Sequence, residues 1–192
     1  MPTSALAARE VELLKQQTRP NVVAFVASCV EEDSQILVLK LMKTDLFHYL
    51  HTKGQSTGDD FAWILYQVSA GLHHCYQQGI IHRNVKPGNI LVRGRRFCSA
   101  DFGMAVQLTA KRIHVRGIAR TVPYMAPEIL RHERYSTAVD VWSLGIVGIY
   151  IAIGASPFDY PTSHTKEGMR RIESLQEDYN GVEFSQLPTQ IV

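Results

Sequence analysis

The chain of 192 residues is long enough for one domain, or for one large lobe carrying the remnant of a second. A formal net charge of +2 and 45% hydrophobic residues are ordinary for a globular sequence, and they favour neither nucleic acid nor a membrane as partner. The three cysteines, Cys29, Cys75 and Cys98, show no C-x-x-C spacing, so a reducing compartment, cytoplasmic or nuclear, is expected.

The first predicted element is a helix over about residues 5–17, which Pro20 prevents from continuing. The N-terminus lacks the apolar core of a signal peptide. Two strands follow, over 22–30 and 35–42, joined by the acidic turn Glu31-Glu32-Asp33-Ser34. Phe61, Ile64, Leu65, Val68 and Leu72 recur at helical spacing and predict a buried helix. Ile90-Leu91-Val92 and Phe97-Cys98-Ser99 read as short strands on either side of Gly94. The stretch 138–154 is the most apolar of the chain. It falls short of the ~20 residues that span a bilayer and contains Asp140 and Ser143, so it predicts a buried core helix over 138–153.

Four motifs then fall in one order. His82-Arg83-Asn84-Val85-Lys86-Pro87-Gly88-Asn89 is followed by Asp101-Phe102-Gly103, then Ala126-Pro127-Glu128, then the run from Tyr135 to Gly145. The first resembles the H-R-D-L-x-x-x-N catalytic loop of protein kinases, the second their D-F-G, and the third their A-P-E. The last is similar to the helix that anchors the catalytic loop. The resemblance covers almost the whole chain. It implies an α+β, protein-kinase-like fold: a remnant of the small lobe over 1–42 (one helix and two strands) and a mainly helical large lobe over 43–192. Lys86 and Thr121 are the wording of Ser/Thr kinases. The run from Tyr135 to Gly145, Thr44-Asp45-Leu46 and the first helix are most similar to cyclin-dependent kinases. Ser4-Ala5-Leu6-Ala7 and Met125 depart from that subfamily and argue against cyclin binding.

One departure concerns the chemistry itself. Where the family carries the Asp that accepts the substrate proton, this chain has Asn84. A carboxamide offers an NH2 donor and has no usable basicity. No G-x-G-x-x-G occurs, and no lysine precedes Glu10, which matches the glutamate that pairs with a strand lysine in the family. These features imply a catalytically impaired domain that acts by binding a protein substrate or regulatory partner. The alternative is an ATP-dependent Ser/Thr kinase of which this is a truncated product. Poor stability of the isolated chain is expected, since Glu128 lacks the late arginine that the family pairs with it.

The resemblance assigns candidate residues one by one. Asn84, Lys86 and Thr121 occupy catalytic positions. Glu10, Lys40, Met42 and Leu91 occupy nucleotide positions, and Asn89 and Asp101 match the ligands of magnesium, so the implied cofactors are ATP and Mg. His82, Phe102, Leu14 and Phe25 match a stacked apolar spine. Asp140 is expected to receive backbone N–H groups of the loop, because a buried carboxylate needs such partners. Between Ala110 and Arg120 there is no Ser or Thr, so a phosphate switch at Arg83 is not expected. The His73-His74-Cys75 cluster, His48 and His51 are read as structural, not metal-binding.

Overall fold

The computed structural model describes residues 3–32, 34–53, 58–117 and 121–158, together with 170 and 174. Asp33, Arg120 and nearly all of the polar stretch 161–192 lie outside the described residues.

Helix α1 spans Thr3–Lys15. It stops short of the expected residue 17 because the N–H groups of Gln16 and Gln17 turn back to the carbonyls of Leu13 and Leu14, an i→i−3 pattern that tightens and ends the helix. Strands β1 (Phe25–Glu31) and β2 (Ser34–Leu39) form an antiparallel hairpin. Both are shorter than the sequence predicts. Val22 and Val23 are buried, but they pair with Ser99 rather than with the hairpin, and Val23 N–H donates to the Ser99 carbonyl at 2.9 Å. Beyond β2, Lys43 N–H reaches the Val92 carbonyl, so the chain leaves the hairpin for the large lobe.

There follow β3 (Thr44–Asp45), α2 (Leu46–Lys53) and α3 (Gly58–Gln77). Asp45 caps α2, its carboxylate accepting the His48 N–H at 2.9 Å. Strands β4 (Ile80–Ile81), β5 (Ile90–Arg93), β6 (Arg96–Ser99) and β7 (Val106–Gln107) are short. They give a sheet in the order β3-β5-β6 and a separate β4-β7 pair. Helices α4 (Pro127–Leu130) and α5 (Ala138–Ile153) complete the described chain. The predicted central helix is found at its expected bounds. It ends on Gly154, which adopts φ 78° and returns its N–H to the Tyr150 carbonyl, a left-handed cap that favours glycine.

Three apolar clusters hold these elements. Ile64, Val68 and Leu72 of α3 pack with Leu46, Val92, Phe97 and Val147, which joins α2, α3, α5 and the sheet. Ile129, Val139, Ile146 and Val122 seal the large lobe around the segment before α4. Leu13, Leu14, Val23, Ile80 and Phe102 join α1 to the large lobe. Each such side chain contributes roughly 1.5–3 kcal/mol on burial. The third cluster matters most for the site, because it packs the helix that carries Glu10 against Phe102, the neighbour of Asp101.

The turn between α1 and the hairpin is anchored by Asn21. Its Nδ2 donates to Gln67 Oε1 at 3.1 Å and to the Phe97 carbonyl at 3.2 Å, while its carbonyl accepts Ser99 N–H at 2.9 Å. Gly71 of α3 faces this turn so closely that a Cβ there would lie 2.5 Å from the Asn21 carbonyl oxygen. The hairpin's outer face is uncovered. Ile36 and Val38 are exposed there, beside their cross-strand partners Cys29 and Ala27.

Candidate active site

Asp140 builds the site from beneath. It is fully buried on α5 and accepts the N–H groups of His82 and Arg83, each at 2.7 Å. This is the role the sequence implies for it. Burial pushes its carboxyl up to about 7, although those two donors and the Arg83 charge pull the other way. The two bonds fix the backbone of a loop in which Arg83 adopts φ 63°, uncommon for a residue with a Cβ.

His82 is buried, with its ring 4.7 Å from that of Phe102. Its Nε2–H donates to the Ala100 carbonyl at 3.0 Å, and its Nδ1 accepts Asn84 N–H at 3.3 Å. Burial depresses its pKa to about 4, so the ring is neutral at ordinary pH. Leu14 and Phe102 share one buried cluster, with Phe25 packed against it. The predicted spine is therefore present.

Asn84 acts as a donor. Its Nδ2 reaches Asp101 Oδ2 at 2.8 Å, and Asn89 Nδ2 reaches the same oxygen at 3.1 Å. A second bond from Asn89 Nδ2 to the Asn84 carbonyl, at 2.9 Å, orients that carboxamide. On its other side Asn84 Oδ1 accepts the Thr121 hydroxyl at 3.2 Å, and Lys86 Nζ donates to the same hydroxyl at 3.2 Å. The chain from Lys86 through Thr121 and Asn84 to Asp101 thus unites four of the predicted residues, and Asn89 joins at its end.

Asp101 sits at φ 64° and ψ 74°, a left-handed conformation that turns its carboxylate toward the loop. Glu10 approaches from α1. It accepts the N–H groups of Phe102 and Gly103, a contact that spacing in the sequence did not reveal. Partial burial raises its pKa first, and the neighbouring Asp101 charge adds to the rise. Among the described residues no lysine or arginine forms an ion pair with Glu10.

The remaining nucleotide positions divide. Leu91 packs against the cluster containing Phe102. Lys40 and Met42 instead line a cavity whose wall does not include Leu91, Asn84 or Asp101. The Lys40 carbonyl and the Met42 N–H have no hydrogen-bond partner among the described residues. Oδ1 of Asp101 and Oδ1 of Asn89 likewise receive no donor among the described residues, so the two oxygens fit a magnesium ion.

Arg83 is committed elsewhere. Its Nε donates to the Met104 carbonyl at 2.7 Å and its Nη1 to Tyr135 Oη at 3.1 Å, and Tyr135 in turn donates to the Gly117 carbonyl. Tyr135 was missed at the sequence level because nothing in its spacing ties it to Arg83. His73 and His74 bond to Gln77 and Gln78 one helical turn on, and His48 to Asp45. No cluster of metal-ligating side chains is found among the described residues.

The sequence matches the protein kinase domain family over residues 2–190. This chain belongs to that family. It is 30% identical over 168 residues to the calcium/calmodulin-dependent protein kinase type II alpha chain of Drosophila melanogaster, an alignment covering 81% of this chain and 32% of that protein. It is equally similar, over the same shares, to the type II subunit delta of Oryctolagus cuniculus. The kinase-family chain thus spans about a third of the length of these curated relatives. Both are named as calcium/calmodulin-dependent protein kinases and neither as a cyclin-dependent kinase, so the narrower likeness rests on the motif wording alone.

Proposed function

We propose that this kinase-family domain is impaired in phosphoryl transfer and works by contact with a protein partner. The observation that carries this reading is the hydrogen bond from Asn84 Nδ2 to Asp101 Oδ2. At the position where a base would accept a substrate proton, the chain presents a donor already engaged with the magnesium-binding carboxylate. A base contributes typically ~10²–10⁴-fold, so its loss alone weakens a kinase without silencing it. A further feature extends the loss: Glu10 faces Asp101, and among the described residues no cation pairs with it.

Asp101 and Asn89 would hold magnesium, which would supply positive charge against nucleotide phosphates. Lys86 would neutralise phosphate charge, while Thr121 holds Lys86 and Asn84 in register. The uncovered face of the hairpin, with Ile36 and Val38, supports the protein-binding part of the reading. A reducing compartment, cytoplasmic or nuclear, suits the three free cysteines.

The second reading is an ATP-dependent Ser/Thr kinase. It is favoured by the intact Lys86–Thr121 contact and by the free oxygens of Asp101 and Asn89. A thermal melt with and without ATP and magnesium separates the two. A ligand that binds only the folded state adds ~2.7 kcal/mol at a hundred times its dissociation constant. The impaired-domain reading expects no magnesium-dependent rise, and a clear rise supports the enzyme.

A further inference from the structure

A cavity of about 610 Å³ lies away from the cleft, walled by the turn after α1, the segment after β2 and the β5–β6 hairpin. Asn84, Lys86, Asn89 and Asp101 take no part in its wall. Four cations do, Arg19, Lys40, Arg93 and Arg96, and no carboxylate accompanies them. Four formally cationic residues, all solvent-exposed, therefore border one cavity of a chain whose net charge is only +2. None of the four forms an ion pair among the described residues.

Their arrangement is partly fixed. Arg93 Nη1 donates to the Leu41 carbonyl at 3.4 Å, which steadies one corner of its guanidinium and leaves its other donors free. The buried Cys98 also lines the cavity, and its thiol donates to the Pro20 carbonyl at 3.0 Å. Burial raises the pKa of that thiol, while the charges of Arg96 and Lys40 oppose the rise. Cations from two different elements thus act on one point. Like charges that converge without counter-ions repel, and an anion in their midst relieves that repulsion.

We propose that this cavity is a binding site for a ligand carrying two or more phosphate groups. Arginine forks match phosphate oxygens in pairs, and three of the four cations are arginines. The volume falls within the usual range for small-molecule sites. A single phosphate leaves part of the +4 unbalanced, which is why a multiply charged ligand is favoured.

Isothermal titration at fixed ionic strength tests this with two probes: inorganic pyrophosphate, and a peptide carrying two adjacent phosphoserines. Saturable binding of one equivalent is expected. The pair Arg93→Gln/Arg96→Gln is expected to weaken it at least tenfold, and so is the pair Arg19→Gln/Lys40→Gln, which lies on other elements and guards against a folding defect in the first. Lys111→Gln/Arg112→Gln, in the separate basic cavity before α4, is expected to leave binding unchanged. Pyrophosphate binding alone assigns the site to a free small molecule, and tighter binding of the phosphopeptide assigns it to a phosphorylated protein segment. Absence of saturable binding by either probe would overturn the proposal. So would a loss in the Lys111/Arg112 pair as large as in the other two.

Discussion

Asn84 and Asp101 form the contact on which the chemistry turns, and an amide was needed to make it. With a carboxylate at position 84, two negative oxygens would meet at the 2.8 Å now spanned by a hydrogen bond. Asn84→Asp is therefore expected to destabilise the metal-free chain by about 1–2 kcal/mol, from the lost bond and like-charge repulsion. Magnesium is expected to restore part of that loss. Urea titrations with and without magnesium check both statements; an unchanged midpoint for the variant in metal-free buffer would count against the contact. His82 offers a second test. Its folded pKa of about 4 lies below the unfolded value of 6.5, so the unfolded state takes up the proton first as pH falls. Its contribution to stability is present above about pH 6.5 and is lost toward pH 4. His82→Phe keeps a ring against Phe102 and removes that titration. The variant's stability relative to the parent is expected to rise by up to about 3 kcal/mol between those pH values. Asp140 has the opposite sign over a similar window, so the comparison must be made between the two proteins at each pH. A constant difference would remove His82 from the account.

The elements show where a sequence pattern suffices and where it does not. The apolar run of α5 and the helical spacing of Ile64, Val68 and Leu72 in α3 predict those helices, because both bury one long continuous surface. The hairpin ends were misplaced because Val22 and Val23 look like strand residues. Their backbone pairs with Ser99, some 76 positions away, and no local pattern records such a pairing. Strands of two residues, such as β3 and β4, are too short to carry any periodicity. The candidate site was legible residue by residue through its motifs, but not its wiring. The motifs place Asn84, Asn89 and Asp101 together. That two carboxamides share one carboxylate oxygen, and that Glu10 caps the amides of Phe102 and Gly103, depends on side-chain geometry. Gly71 is a further case, conspicuous only in three dimensions. Gly71→Ala puts a methyl 2.5 Å from the Asn21 carbonyl oxygen, a backbone atom that cannot swing aside. A loss of roughly 1–3 kcal/mol is expected in a chemical melt, as for other overpacked sites. A neutral result would mean that the turn at Asn21 yields freely.

At the scale of the whole molecule, the described chain is a well-packed large lobe carrying a thin upper layer. The three clusters interlock through α3, α5 and Phe102, whereas the hairpin leaves Ile36 and Val38 uncovered. Two-stranded sheets gain little stability of their own, so the hairpin depends on its inner face against α1. Hydrogen exchange is expected to be fastest in β1 and β2 and slowest in α3 and α5, the order that local burial sets. Protection in the hairpin equal to that of α5 would contradict this. The same division bears on function. The fold is that of a protein kinase domain, and Asn84 stands where the family motif carries its Asp.

The central claim is that the cleft has lost transfer at more than one point, and single-turnover phosphotransfer from labelled ATP to a Ser/Thr peptide tests it most directly. The parent chain and Asn84→Asp would be assayed side by side in magnesium. The account predicts no transfer above background from either, because restoring the carboxylate leaves Glu10 without a cation among the described residues. A gain of ~10²–10⁴-fold in Asn84→Asp, the usual worth of a base, would contradict it and show a cleft complete in everything but that residue.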